Sequence, residues 1–470
     1  MEALFDKLHN FKNRVALIDN NGKKLRYLEI LKFVNELEKR IKKKSLVLIL
    51  ADNKIGSIIS YICCVKLKYV AILIDKKISE NDLKKLLKFY KPNYVFSAEE
   101  FSLLNINHKK IYNIYDSCLY FTNKKKVKLL NNLQLLLPTS GSMGSVKFVK
   151  LSRENIFSNA ISIIKYLKIR KFDKAITNMP FYYSYMLSVI NTHIHKGASI
   201  LVTNETIVQK KFWNIYKKQK ITSFNGVPYI YELLDRIGLE KVYLKSLRYI
   251  TQAGGKLNDE LTKKYFTFCK KKKVNFFIMY GQTEASPRIS YLENDKVLKK
   301  IGSVGKPIPG VKIYIKDQNK KKITRPYVEG NIFCKGKNIM LGYANNYKDL
   351  SSKKKIFELN TGDIGFFDDD EYFYIKSRSK RIAKIYGVRI DLQELENKML
   401  KLGIKVLSAN RDNKIGIFYN PKIKFNLKKM KDKVYNLTNL NLKIFNFISL
   451  KKIPRTNTKK IDYKKLQSLI

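Results

Sequence analysis

The stretch Leu136–Lys147 reads "LLPTSGSMGSVK" and gathers four hydroxyls (Thr139, Ser140, Ser142 and Ser145), two glycines (Gly141, Gly144) and an ammonium, Lys147. Glycines let a backbone bend until successive N–H groups point inward as an anion nest, and hydroxyls and lysine add donors, so the chemistry on offer is phosphate binding. It is not the G-x-x-x-x-G-K-[ST] loop, because Phe148 follows Lys147. Taken alone, a Ser/Gly loop is equally a flexible turn. A second cluster, "MYGQTEA" (Met279–Ala285), sets a phenol, a hydroxyl and a carboxylate (Tyr280, Thr283, Glu284) directly after an apolar run, where site residues collect. Further along, "NTGDIG" carries Asp363, "SRSKRIAKIYGVRIDLQELE" carries Arg378, and "IPRTNTKKID" carries Lys460. His193 and His195 are spaced to hold a metal, but no Cys, Asp or Glu set accompanies them, which favours a structural role.

The elements that must position these groups follow from apolar periodicity. "SLVLIL", "YVAILI" and "NYVFS" read as buried strands, with "IGSIISYICCVKL" and "ENDLKKLLKFY" as helices between them. Alternating strands and helices predict an α/β fold with parallel-type sheets, whose ligands bind beyond the carboxyl ends of the strands. "ASILVT", "KSLRYIT" and "VNFFIMYG" continue that rhythm. From about Ile301, short strands with Gly and Pro turns predict a β-rich subdomain, and a compact α+β tail closes the chain. The polar "SRSK" segment marks the expected boundary between a large multi-subdomain unit, residues 1–376, and a small mobile one, residues 377–470.

Composition narrows the function classes. At 470 residues the chain exceeds what one core organises. Lys and Arg number 94 against 39 acidic residues, for a net charge of +55, which admits a binder of nucleic acid or another anionic polymer. The lysines are scattered, however, and accompany abundant Ile, Asn, Tyr and Phe, residues with A- and T-rich codons. Compositional bias is therefore preferred, and no specific nucleic-acid partner is expected. Five cysteines without a C-x-x-C pair suggest free thiols. The most apolar run, "IISYICCV", is broken by Lys66 and Lys68, so no membrane span is expected and a cytoplasmic location is.

Five motifs in this order resemble the adenylate-forming superfamily: acyl-CoA synthetases, aryl-CoA ligases and the adenylation domains of peptide synthetases. The resemblance implies activation of a carboxylic acid with ATP and Mg²⁺ to an acyl-adenylate, release of pyrophosphate, and transfer to a thiol of coenzyme A or of the phosphopantetheine on an acyl carrier protein. It implies that Thr139, Ser140, Gly141, Ser142, Gly144 and Lys147 cradle the β- and γ-phosphates. Tyr280, beside Gly281, would stack on adenine, Thr283 would contact the α-phosphate, and Glu284 would hold Mg²⁺. Asp363 and Arg378 would grip the ribose hydroxyls, and Lys460 would bridge the attacking carboxylate and the α-phosphate, where negative charge builds. Lys380 falls at the family's hinge, and Lys384 and Gly387, in "KIYGVR", belong to the thiol step.

Several positions depart from the family pattern. The phosphate loop has Met143 where a hydroxyl is usual, and a thioether cannot donate to a phosphate oxygen. Losing one hydrogen bond to a charged group costs about 1.5–3 kcal/mol, which weakens the grip without silencing the site. Arg153 replaces a common histidine, Ser377 the glycine before Arg378, and Lys459 the glycine before Lys460. In amino-acid-activating relatives an aspartate pairs with the α-ammonium; that position falls at Ser184 here, so a plain carboxylic acid is expected. Its pocket would draw on Tyr182, Tyr183, Ser184, Tyr185, Asn225, Val227, Gly254 and Gly255, walls that suit an aryl, hydroxy-acyl or short acyl group. Two other readings compete: a non-catalytic nucleotide-binding scaffold disabled by Met143, and the basic polymer binder.

Overall fold

The computed structural model describes residues 3–98, 108–122, 124–138, 147–243, 245–352, 356–378, 381–385, 388–421, 426–438 and 440–470. The backbone gathers into two compact units, one of Met1–Ile301, Gly305–Lys312 and Lys335–Leu359, the other of Gly302–Val304, Ile313–Cys334 and Asn360–Ile470.

In the first unit, the runs expected to be strands form the parallel centre of an eight-stranded sheet. Leu133–Pro138, Val70–Asp75, Leu46–Ala51 and Tyr94–Ser97 lie side by side. Leu46–Ala51 is buried at all six positions, as a strand covered on both faces must be. The crossover helix Ile55–Lys66 is buried from Ile55 through Val65, so its all-round apolar sequence finds packing on every side. Phe148–Ser152 runs antiparallel to Leu133–Pro138, and residues 139–146, which connect the two, lie outside the described residues.

A second group of parallel strands carries the "MYGQTEA" motif. Ser223–Gly226, Tyr249–Gln252 and Asn275–Gly281 pair in parallel, in register at Gly226, Gln252 and Ile278. Parallel pairing demands crossovers, supplied by the helices Pro228–Ile237 and Asp259–Lys271. Arg288–Leu292 then turns back antiparallel on Asn275–Gly281. The carboxyl ends of three adjacent strands thus deliver Asn225–Val227, Gln252–Gly255 and Tyr280–Glu284 to one edge.

The second unit holds the hairpin of Leu359–Phe367 and Phe373–Arg378, and a three-stranded sheet of Val406–Arg411, Lys414–Tyr419 and Phe445–Ser449. Helices Leu392–Lys401 and Leu427–Thr438 contribute Leu392, Leu395, Met399, Met430 and Val434 to a core shared with Ile415 and Ile417. Residues 376 and 377, where the sequence places a boundary, lie inside the Phe373–Arg378 strand.

Lysines occupy an unusual niche. Lys68, Lys91, Lys168, Lys220 and Lys273 each follow a helix end with φ between 50° and 60°. This left-handed position is normally given to glycine, because an L side chain pays a steric cost there. Lysine standing in for glycine fits compositional bias and not a binding face. Among the described residues, no helix is long and apolar enough to cross a membrane, and Cys63, Cys64, Cys118, Cys269 and Cys334 are free thiols.

Candidate active site

At the end of the Asn275–Gly281 strand the chain makes a tight turn that only glycine permits. A Cβ on Gly281 would sit 1.9 Å from the Pro287 carbonyl oxygen, while Gln282 N–H donates to that same carbonyl at 2.8 Å. Thr283–Ala285 forms a single 3-10 turn. Two amides clamp it: the Asn159 Nδ2 donates to the Ala285 and Arg288 carbonyls at 3.3 and 2.9 Å, and the Asn338 Nδ2 to the same pair at 3.0 and 2.9 Å. Thr283 is buried and its hydroxyl donates to Ser184 Oγ at 3.2 Å, which ties the motif to the start of the Ser184–His195 helix. Tyr280 is half-buried.

Glu284 accepts a hydrogen bond from the Tyr343 hydroxyl at 3.0 Å, and Lys147 Nζ lies 3.8 Å from the centroid of the Tyr343 ring. Burial and the adjacent Glu284 carboxylate push the Tyr343 phenol up, so it stays a donor. The exit of the phosphate loop and the carboxylate expected to hold Mg²⁺ therefore flank one aromatic ring. Tyr343, Asn159 and Asn338 went unread in the sequence; "LGYANN" and an isolated asparagine in a helix carry no local signal. Among the described residues, no group of three or more His, Cys, Asp or Glu is assembled. Mg²⁺ commonly takes one or two carboxylates and completes its shell with water and phosphate oxygens, so a single half-buried Glu284 suits it.

Most residues expected to line an acid pocket gather where the Ser184–His195 helix meets the parallel strands. Tyr185 donates to the Thr251 carbonyl at 2.9 Å, and Thr251 Oγ1 donates to Asn225 Oδ1 at 2.8 Å. Tyr183, Ser184, Tyr185, Asn225 and Val227 are all buried. Tyr182 points elsewhere, its hydroxyl donating to Asp75 Oδ2 at 2.7 Å. Gly254 has φ of +86°, and Gln252 Nε2 donates to the Gly255 carbonyl at 2.7 Å, closing the turn after the second strand. His193 is wholly buried, with Nδ1 2.8 Å from the Val189 carbonyl and Nε2 3.4 Å from the Tyr249 hydroxyl. Burial holds its pKa below the ordinary histidine value.

In the second unit, strand pairing sets Asp363 directly opposite Arg378, and Arg378 Nε donates to Asp363 Oδ1 at 3.2 Å. Asp363 is buried while the Arg378 side chain is 60 % exposed, so the pair presents one anchored and one reaching group. Lys460 ends a tight turn: Thr456 N–H donates to its carbonyl at 2.8 Å and Arg455 pairs with Ile461. Lys459, within that turn, has φ of +64°. The glycine of the family pattern is thus accounted for by the backbone, and lysine adopts the same conformation at a steric cost. Lys384 lies in the strand Ile382–Ile385. Thr139, Ser140, Gly141, Ser142, Met143, Gly144, Lys380 and Gly387 lie outside the described residues. Of the substitutions at family positions, Arg153 donates through Nη2 to the Asn131 carbonyl, and the structure offers no reason for Ser377.

Comparison with known proteins identifies the family and the fold. The AMP-binding enzyme family matches residues 4–344. A 2-succinylbenzoate–CoA ligase of Oceanobacillus iheyensis is 26% identical over 406 residues, covering 83% of this chain and 81% of the relative. A long-chain-fatty-acid–CoA ligase of Bacillus subtilis is 28% identical over 350 residues, covering 71% and 60%. Among solved structures, O-succinylbenzoate coenzyme A synthetase from Bacillus subtilis in complex with AMP superposes with a TM-score of 0.78 at 20% identity, covering 99% of this chain and 98% of that one. Klebsiella oxytoca NpsA in complex with 3-hydroxyanthranilyl-AMSN gives 0.80 at 17% identity and 99% of each chain. With the motif turn and the parallel strands that carry it in place, the chain belongs to the AMP-binding enzyme family and has the fold of adenylate-forming enzymes.

Proposed function

We propose that this enzyme is an AMP-forming acid–thiol ligase that converts an aryl or short acyl carboxylic acid to its coenzyme A thioester, with 2-succinylbenzoate the first acid to test. In the first step a carboxylate oxygen attacks the α-phosphorus of ATP; the new O–P bond forms as the α–β bridging bond breaks, and pyrophosphate leaves. In the second, the thiol sulfur attacks the acyl carbon, the thiol proton is released and AMP departs. Thr139, Ser140, Gly141, Ser142, Gly144 and Lys147 hold the phosphates, Tyr280 and Gly281 the adenine, and Asp363 and Arg378 the ribose. Thr283 meets the α-phosphate, and Glu284 holds Mg²⁺, which neutralises triphosphate charge. Lys460 stabilises the charge that develops as the two substrates join. Residues 377–470 reorient about Lys380 between the two steps, with Lys384 and Gly387 serving the thiol.

The observation that carries this reading is the clamped Tyr280–Glu284 turn at the carboxyl end of parallel strands, in a chain that matches the family across residues 4–344. The presence of Glu284, Asp363 and Lys460 favours catalysis over a nucleotide-binding scaffold despite Met143. Pyrophosphate release with Mg-ATP, pooled acids grouped by class and hydroxylamine as a trap tests it, comparing the wild type with Lys460→Ala. Release that needs one acid pool and disappears in the variant is expected. Release from no pool, with ATP still bound, contradicts it. Running coenzyme A beside a phosphopantetheine-loaded carrier protein identifies the acceptor.

A further inference from the structure

A small cavity, lined in part by Tyr185 and Asn225 of the expected acid site, is bounded by the parallel strands and the helices Arg153–Leu167 and Ser184–His195. Pairing register and strand alternation place Asn225, Tyr249 and Met279 on one face of the sheet, and all three line it, together with Tyr185, His193 and Arg288. Arg288 and Asn225 are each only 2% exposed. Among the described residues Arg288 has no carboxylate partner: its guanidinium stands 5.0 Å from the Tyr185 ring centroid and meets the Tyr166 hydroxyl, and its Nε has no hydrogen-bond acceptor. Thr251 fixes the Asn225 amide by its oxygen end, which leaves Nδ2 buried and without an acceptor. An arginine is effectively always charged, and a buried charge is stabilised only by a partner or by hydrogen bonds. Two donors, one of them cationic, therefore border the cavity, and among the described residues no carboxylate answers them.

We propose that Arg288 and Asn225 receive a second carboxylate, at the far end of the acid that the enzyme activates, so that its substrates are dicarboxylic acids. This rests on the ligase reading above. Opposite charge and planar donor geometry suit a carboxylate better than a neutral tail. At about 10 Å³ the cavity is no larger than a water, so a carboxylate enters only if its walls move, and Met279, unbranched and flexible, is the wall that can yield. An unfilled guanidinium nitrogen is not by itself the signal, since Arg381 also leaves Nε and Nη1 without acceptors; there, however, Glu396 neutralises the charge, and beside Arg288 no described carboxylate does.

The test uses acids matched in shape: 2-succinylbenzoate against the same skeleton without its ring carboxylate, and adipate against hexanoate. The readout is the ratio of kcat/KM for diacid over monoacid, in wild type, Arg288→Met and Arg288→Lys. A site built for a polar group rejects the analogue lacking it, so at least one pair should show a diacid preference of about tenfold or more in wild type. The preference should collapse in Arg288→Met and partly return in Arg288→Lys. A purely structural role would lower both acids together and leave the ratio intact, and that result overturns the proposal, as does a wild type indifferent to the second carboxylate in both pairs. If no acid is turned over, the ligase reading fails separately, and calorimetric binding decides this one. Binding of either diacid, 2-succinylbenzoate or adipate, to wild type and not to folded Arg288→Met upholds it, and binding of neither overturns it.

Discussion

Two buried arginines separate the first unit from the second. Arg381 donates through Nη2 to Glu396 at 2.6 Å, its guanidinium lies 4.1 Å from the Tyr463 ring centroid, and Glu396 also accepts from Ser408 N–H at 2.6 Å. Arg288 is more deeply buried, faces a cavity, and has aromatic neighbours but no carboxylate. In the first arrangement Glu396 neutralises the charge within the chain, although two guanidinium nitrogens lack acceptors, and the pair serves the fold. The second has no described counter-charge within the chain, and on the dicarboxylate proposal it is the substrate that supplies one, the local cost in the free protein being offset by tighter binding.

Removing one member of each set should break the comparison or sharpen it. Glu396→Gln leaves Arg381 buried without a counter-charge, and unfolding in urea should show a loss of about 3–5 kcal/mol. Arg288→Met removes an unanswered charge and replaces it with an apolar chain, so the same assay should show little loss or a gain. Equal losses from both variants would erase the distinction. On the ligase reading, in which its side chain serves the reaction and not a core, Lys460→Ala should lower the adenylation rate by roughly 10²- to 10³-fold with unfolding unchanged. Stopped-flow pyrophosphate detection measures this.

His193, in the same cavity as Arg288, gives a pH signature. Burial keeps it neutral in the folded chain, whereas the unfolded chain takes up the proton near pH 6.5. Its contribution is therefore intact above about 6.5 and is lost as pH falls, by up to about 1.4 kcal/mol per pH unit. His193→Gln should flatten that limb of a stability–pH curve. The smallest effect is at a helix end: Lys168→Gly relieves a φ of +50° and should stabilise the first unit by roughly 0.5–1 kcal/mol, read as a rise in Tm.

Much of this was legible in the sequence, for physical reasons. Leu46–Ala51 and Val70–Asp75 are uninterrupted apolar runs, and such runs have few homes other than a doubly covered strand. Tyr280, Thr283 and Glu284 are adjacent in sequence, so their motif survives as a string. Asn159, Asn338 and Tyr343 do not: they meet the motif from a helix, a turn and the short strand Tyr343–Ala344, far along the chain, and nothing in their own neighbourhoods marks them. Arg288 was hidden for a different reason. In a chain with 94 basic residues one more arginine attracts no notice, and only its burial without an acidic partner sets it apart.

The most direct test of the central claim, acyl-adenylate formation, is acid-dependent exchange of labelled pyrophosphate into ATP in the absence of coenzyme A. Exchange that requires Mg²⁺ and a carboxylic acid, and that disappears in Lys460→Ala, is the predicted result. ATP binding by calorimetry with no exchange for any carboxylic acid, monoacid or diacid, would contradict it and return the chain to the nucleotide-binding scaffold reading.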